Sequence, residues 1–318
     1  MKFKIISLLA SIGLLAILLL YSNISEVAVA LSKSKPEFVA AGLAVSTLAM
    51  LTRAFRWKWL LRSISIDMRF GRIFPIFMTG LFISNITPAK TGEPFRSYLL
   101  KRKEGIGFTS SISSVIIERI FDLLTLIAIS IAGIFFVQHF MFALILDAVV
   151  VLYLAIIALV IFVCTSRNRV ERFSGILVKV FGWIPIVKRI GKGIDGKAGN
   201  INESFMKYRG WKIISRLALF SIFIWLLDAI VGYSAFSALG IQIDLPLFLF
   251  IMSVSVLIGI ATSLPGGIGS TDAVMALLAS AAFGIGLPIA TAGILLFRFL
   301  TIWYNMAVGA LLLSSAGK

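Results

Sequence analysis

Cysteine and histidine are nearly absent: the 318-residue chain has one of each, Cys164 and His139. A single cysteine excludes an internal disulfide and a cysteine metal cluster. A single histidine excludes a histidine-built metal site and a histidine-dependent catalytic triad. Cys164 ends an apolar run and His139 sits at a short turn between two runs, so both read as packing or interfacial residues. Charge is scarce too. Only 14% of residues are charged, where soluble domains carry about a quarter. No metal or cofactor is expected.

Long apolar runs are abundant, with 59% of residues hydrophobic. Runs at roughly 4–21, 38–55, 110–137, 139–163, 212–238 and 289–313 can each cross a ~30 Å hydrocarbon core, which takes about 20 residues of helix. Two further stretches, 73–88 and 246–283, are interrupted by proline and glycine. The expected fold is therefore all-α, a polytopic membrane helical bundle. Lys2, Lys4 and the Ala28-Val29-Ala30 triplet imitate a signal peptide. That triplet lies far beyond the end of the apolar run at Tyr21, so the run reads as a transmembrane anchor.

The 30 lysines and arginines outnumber the 14 acidic residues. In a soluble protein such an excess suggests nucleic acid, but here its placement suggests membrane orientation instead, because cytoplasmic loops collect Lys and Arg. The bases gather at Lys2 and Lys4, from Arg53 to Arg72, from Arg96 to Lys103, from Arg167 to Arg216, and at Lys318. Placing those groups inside leaves Lys33 and Lys35 outside and Lys90, Arg119 and Arg298 at membrane depth. Both termini are then cytoplasmic, in a multi-pass protein of the cell membrane.

With Arg72 and Arg96 on one side, the segment between them must enter and return. This predicts a re-entrant hairpin over 73–100, turning at Thr87–Pro94. The second half predicts another over 246–283, opening from the opposite side and turning at Ser263–Asp272. Pro88 and Gly92 match Pro265 and Gly269 at an offset of 177, and Gly105, Gly107 and Arg119 match Gly284, Gly286 and Arg298 at 179. The expected plan is about six spans plus two re-entrant hairpins in an inverted repeat, an arrangement common among transporters. Its parts are an anchor and outer loop (1–35), a first repeat (36–137), a connecting span (138–165), a basic interfacial linker (166–211) and a second repeat (212–318). The linker's apolar stripe (Val170, Phe173, Leu177, Val180, Ile184, Val187) and basic opposite face suggest an elbow lying on anionic lipid. Arg56-Trp57-Lys58-Trp59 reads as an interfacial anchor.

The chemistry-bearing residues lie inside apolar helix. Glu118-Arg119-Ile120-Phe121-Asp122 places Glu118 roughly 12 Å from its helix start, and a charge at such depth must face protein or water. Glu118 and Asp122 share a helix face, and Arg119 can pair with Asp122. The cluster either binds substrate or is a self-neutralising group that fixes packing. Arg298, roughly 15 Å into its helix, has no acidic neighbour on that helix. Its partner is the substrate or a distant carboxylate, with Asp228, Asp147, Asp272 and Glu93 available. Arginine's planar fork suits phosphate, so an anionic headgroup would find Arg119 and Arg298 at pseudo-symmetric positions. Gly266, Gly267 and Gly269 permit close backbone approach at a helix start, capped by Ser270, Thr271 or Asp272. A tight turn with glycine packing explains them equally well. Glu93 reads as the cap of a helix whose first residue is Pro94, with Arg96 near the cytoplasmic mouth.

Asn85-Ile86-Thr87-Pro88, Gly92-Glu93-Pro94-Phe95-Arg96, Glu118–Asp122, Leu264-Pro265-Gly266-Gly267-Ile268-Gly269 and Arg298 together resemble the flippase-like transmembrane family found in lysylphosphatidylglycerol synthases. The resemblance covers about 40–315. It implies movement of a lipid, often an anionic or aminoacylated phospholipid, between leaflets. Relatives fused to an aminoacyl-transferase or a glycosyltransferase domain are known, and no soluble stretch of this sequence is expected to be long enough for one. Asp272 stands where the family is expected to carry Glu soon after the glycines, which leaves the carry-over to that position open.

The expected function is a transporter, not an enzyme, that moves a lipid with a charged, phosphate-bearing headgroup by alternating access. The alternative is a membrane accessory subunit for a separate lipid-modifying enzyme or glycosyltransferase. An intramembrane enzyme using Glu118, Asp122 or Asp228 has neither a metal-ligand set nor a visible nucleophile–base pair behind it.

Overall fold

The computed structural model describes residues 2–87, 92–134, 206–262 and 264–313, with a few positions between 151 and 203. Most of the expected connecting span and of the basic linker lies outside the described residues, as do Lys90, His139, Asp147 and Cys164. Among the described residues every regular element is a helix, and the molecule is a helical membrane bundle.

The chain enters as α1 (Lys2–Tyr21) and turns 83° into α2 (Ile24–Ser32). Asn23 takes the bend with φ 57°, a left-handed conformation that asparagine tolerates better than most residues. Where the sequence suggested an outer loop after Tyr21, residues 24–32 are helical. They pack along the C-terminal half of the chain, and the buried Ser22 hydroxyl meets Thr291 Oγ1 at 2.7 Å.

Next come α3 (Pro36–Ser63), α4 (Phe70–Ile86), α5 (Phe95–Glu104) and α6 (Phe108–Ile134). After a 3-10 turn at Lys207–Arg209 follow α7 (Trp211–Ala238) and α8 (Leu245–Ala261). A second 3-10 turn at Pro265–Gly267 leads to α9 (Ser270–Phe283) and α10 (Leu287–Arg298). A π turn, Phe299–Trp303, carries α10 into α11 (Tyr304–Leu311). The order of a 28-residue helix, a 17-residue helix, a short return helix and a long helix thus occurs twice. The return helices α5 and α9 both stop at a glycine with positive φ, Gly105 at 67° and Gly284 at 62°. Glycine is the usual residue at this position because it lacks the Cβ that penalises the left-handed region.

Four described helical stretches are long and apolar enough to cross a membrane: Pro36–Ser63, Trp211–Ala238, Pro265–Phe283 and Leu287–Leu311. Helix α6 is 27 residues long but carries Glu118, Arg119 and Asp122. Helices α4 and α8, with 17 residues each, fall short of the ~20 that a full crossing takes.

Helices α3 and α7 make the broadest contact in the bundle. Close approach elsewhere depends on small residues, as is usual between membrane helices. A Cβ on Gly232 would lie 1.9 Å from the Phe248 ring, and one on Gly133 would lie 2.1 Å from Phe250. Each short helix folds back on its return helix: Gly80 of α4 lies against Arg96 of α5, and Gly259 of α8 lies against Thr271 of α9.

Candidate functional site

Helix α6 delivers the polar centre. Glu118 is wholly buried and Asp122 nearly so, one turn apart on the face turned toward α3. From α3, Arg56 spans both carboxylates: Nη2 donates to Glu118 Oε1 at 2.7 Å, and Nη1 donates to Asp122 Oδ1 at 2.5 Å. Nη1 also donates to Ser221 Oγ of α7 at 2.8 Å. From α5, Arg96 pairs with Glu118 Oε2. Its guanidinium lies over the Trp57 ring, 4.8 Å from the centroid, a distance at which cation–π attraction operates. Trp57 in turn donates to Ser114 Oγ at 3.0 Å.

Arg119 completes the cluster. Nη2 lies 3.0 Å from Asp122 Oδ2, and Nε lies 3.0 Å from Glu93 Oε2 in the first hairpin turn. On the same face of α3 as Arg56, Arg53 pairs with Asp228 of α7. Arg53, Arg56, Arg96 and Arg119 therefore meet Glu93, Glu118, Asp122 and Asp228, and the formal charges cancel. Cancellation is what low-dielectric surroundings demand, since an unpaired buried charge is far more costly than a paired one.

A second, smaller centre sits in the other hairpin. Arg298 pairs with Asp272, and its Nη2 donates to the Gly266 carbonyl at 3.0 Å. Asp272 Oδ2 accepts the Gly269 N–H at 2.8 Å. Gly266, Gly267 and Gly269 all take positive φ, at 58°, 66° and 87°, so the turn has the shape it does because glycine occupies those places. The π turn begins directly after Arg298, and within it the Leu300 carbonyl accepts a hydrogen bond from Ser46 Oγ at 2.7 Å. Such insertions in α-helices are frequent at functional sites. The second hairpin turn touches the C-terminal end of α4, since a Cβ at Gly266 would lie 3.3 Å from the Asn85 carbonyl oxygen.

Glu93, Arg96, Glu118, Arg119, Asp122 and Asp228 fall into the first centre, and Gly266, Gly267, Gly269, Asp272 and Arg298 into the second, with several changes of role; Asp147 lies outside the described residues. Asp228 serves Arg53, while Asp272 is the carboxylate that meets Arg298. Glu93 does not cap α5: the cap position is Pro94, and the Glu93 side chain turns to Arg119 instead. Asp272 is not the cap of α9 either. Gly269 holds that place, and Asp272 reaches back to it from the first turn, so a carboxylate already occupies the helix N-terminus. Arg96 is buried against Glu118 and not at a mouth.

Sequence reasoning missed Arg53 and Arg56. The apolar run ends near residue 55, which groups Arg53 and Arg56 with the cytoplasmic bases and Arg56 with an interfacial anchor, yet α3 continues to Ser63 and Arg56 is 1% exposed. The signal was the apolar stripe Met50, Ala54, Trp57 and Leu61, which keeps helical spacing through the charges and is buried throughout. Outside the spans, Tyr208 is buried and donates to the Leu60 carbonyl at 3.1 Å. Burial pushes its phenol above the usual range. Among the described residues no group of three His, Cys, Asp or Glu side chains is placed to hold a metal ion.

The family described as "Lysylphosphatidylglycerol synthase TM region" matches residues 5–309, and the chain belongs to it. The chain is 27% identical over 313 residues to a UPF0104 membrane protein of Methanothermobacter thermautotrophicus, covering 93% of this chain and 90% of that one. A UPF0104 membrane protein of Methanocaldococcus jannaschii is 25% identical over 313 residues, covering 95% and 92%. The glycosyltransferase AglD of Haloferax volcanii is 33% identical over 124 residues, which is 37% of this chain but 19% of AglD.

Proposed function

We propose that this member of the lysylphosphatidylglycerol synthase transmembrane family moves a lipid with a charged, phosphate-bearing headgroup between leaflets by alternating access. The observation that carries the reading is the pair of arginine–carboxylate centres at the turns of two hairpins in an otherwise apolar bundle. Ionised side chains at that depth are expensive and usually mark a substrate or ion path. Non-helical backbone at membrane depth is tolerated only where protein or a wet cavity covers it, and the Pro265–Gly269 turn is covered by Asn85 and by α1.

On this reading the repeated helix order is an inverted repeat, and both hairpins are re-entrant from opposite sides. The chain is a multi-pass protein of the cell membrane with cytoplasmic termini, and its basic linker rests on anionic lipid. Arg119 and Arg298 meet the headgroup in turn as the bundle rocks, and the chemistry is translocation without covalent change. Reconstituted in vesicles, the chain accelerates flip of a phosphate-bearing lipid, and Arg298→Ala abolishes it while the protein still inserts. Equal transport by that variant removes the arginine from the mechanism.

A second reading is favoured by the local similarity to AglD: the chain serves as membrane subunit to a separate glycosyltransferase or lipid-modifying enzyme. Co-purification of such an enzyme from native membranes, lost when the basic linker is neutralised, supports it. Purification of the chain alone under the same conditions counts against it.

A further inference from the structure

The offset of 179 that relates Arg119 to Arg298 also relates Glu93 to Asp272. Each of these arginines meets its carboxylate through Nε. In both cases the acid belongs to the hairpin turn or the start of its return helix, and the base belongs to the long helix that follows. The two centres are therefore built to one plan: a hairpin carboxylate occupying the arginine of the next helix.

Neither pair is completed as an aligned hydrogen bond. Arg119 Nε and Asp272 Oδ1 are buried atoms with no hydrogen-bond partner. The attraction in each is Coulombic, and another anion of better geometry can replace it. A phosphate diester offers an anionic oxygen to the Arg119 Nε–H while Asp122 keeps its place on Nη2.

The two centres differ in how firmly they are held. Asp272 is fixed by the Gly269 N–H, and Arg298 is fixed by the Gly266 carbonyl, with 10% of the arginine side chain exposed. Arg119 is 37% exposed, well above Arg53 at 19% and Arg56 at 1%.

The geometry points to Glu93 and Asp272 as built-in competitors for the substrate's anion, giving each hairpin one anion-exchange site, with the Arg119 site open in this conformation and the Arg298 site closed. The inference rests on the transport reading and adds to it the group that the headgroup displaces and the basis of selectivity. An anionic phosphodiester replaces Glu93 on Arg119 without leaving a net charge on the guanidinium. A zwitterionic headgroup brings its own cation and gains less. Breaking the Glu93–Arg119 pair also unties the first hairpin turn from α6, so occupancy and hairpin movement are linked.

The test is binding, read separately from movement. Native mass spectrometry of the detergent-solubilised full chain measures adducts of phosphatidylglycerol and of phosphatidylcholine, for wild type, Glu93→Gln, Glu93→Asp and Glu93→Gln with Arg119→Gln. Removing the competitor is expected to tighten phosphatidylglycerol binding about fivefold or more, with Glu93→Asp in between and phosphatidylcholine unchanged. The double variant is expected to lose the gain. Unchanged or weaker phosphatidylglycerol binding by folded Glu93→Gln overturns the exchange site. Should Glu93→Gln fail to fold, Glu93→Asp decides by the same criterion. Tighter binding with no lipid movement in vesicles upholds the exchange site and counts against transport. Transport by wild type with no effect of Glu93→Gln on binding does the reverse.

Discussion

Arg53 and Asp228 are 175 residues apart and paired, and the same offset separates Pro36 and Trp211, the first residues of their two 28-residue helices. The pair therefore joins corresponding places on α3 and α7, at the broadest helix contact in the bundle. Arg53→Gln or Asp228→Asn alone is expected to lower the melting temperature in detergent. The swap Arg53→Asp with Asp228→Arg is expected to recover most of the loss. A swap that melts as low as the worse single variant shows that the pair does not hold the two helices.

Glu118 is the most heavily committed carboxylate, facing Arg56 and Arg96 with no exposed surface. Removing one member of a buried ion pair typically costs about 3–5 kcal/mol because the other charge is stranded. Glu118→Gln is therefore expected to cut folded yield sharply, whatever lipid is present. Wild-type thermal stability in that variant would contradict the network as drawn.

Glycines divide by what surrounds them. A Cβ on Gly92 would fall 2.7 Å from the Ile83 carbonyl carbon and oxygen, backbone that cannot step aside, while Gly13 has nothing within 4 Å. Gly92→Ala is expected to disrupt the first hairpin and reduce folded protein. Gly13→Ala is expected to be neutral or to gain up to about 1 kcal/mol of helix propensity. Size-exclusion profiles of the two variants make the comparison directly.

Re-entry of the hairpins is testable by single-cysteine labelling after Cys164 is replaced by serine. Arg62→Cys and Lys101→Cys are expected to react from one side of the membrane, and Gln242→Cys and Ala282→Cys from the other. Labelling of Arg62→Cys and Lys101→Cys from opposite sides makes α4 a full crossing.

The apolar runs announced most of the helices, because a hydrocarbon core sets their length. The Pro and Gly clusters marked both hairpin turns. Glu118, Arg119, Asp122 and Arg298 stood out as charges in apolar sequence, where burial is costly enough to be conspicuous. Arg53 and Arg56 did not, because they lie beside other bases at the end of an apolar run and resemble an interfacial cluster. Only the stripe from Met50 to Leu61 distinguishes them. Glu93 and Asp272 were visible as candidate partners of Arg298, but the arginine that each meets was not legible. Each suits a helix start, and local capping competes with the long-range pairing that the fold provides. Their shared offset with Arg119 and Arg298 is the sequence signal that points past the local role.

The central claim is most directly tested by lipid movement in vesicles containing this chain alone. Dithionite quenching of fluorescent phosphatidylglycerol would be followed for wild type, for Arg298→Ala and for protein-free vesicles. The account predicts that wild type exposes inner-leaflet lipid to the quencher faster than either control. Equal rates in all three, from protein shown to be folded and inserted, would contradict transport by this chain.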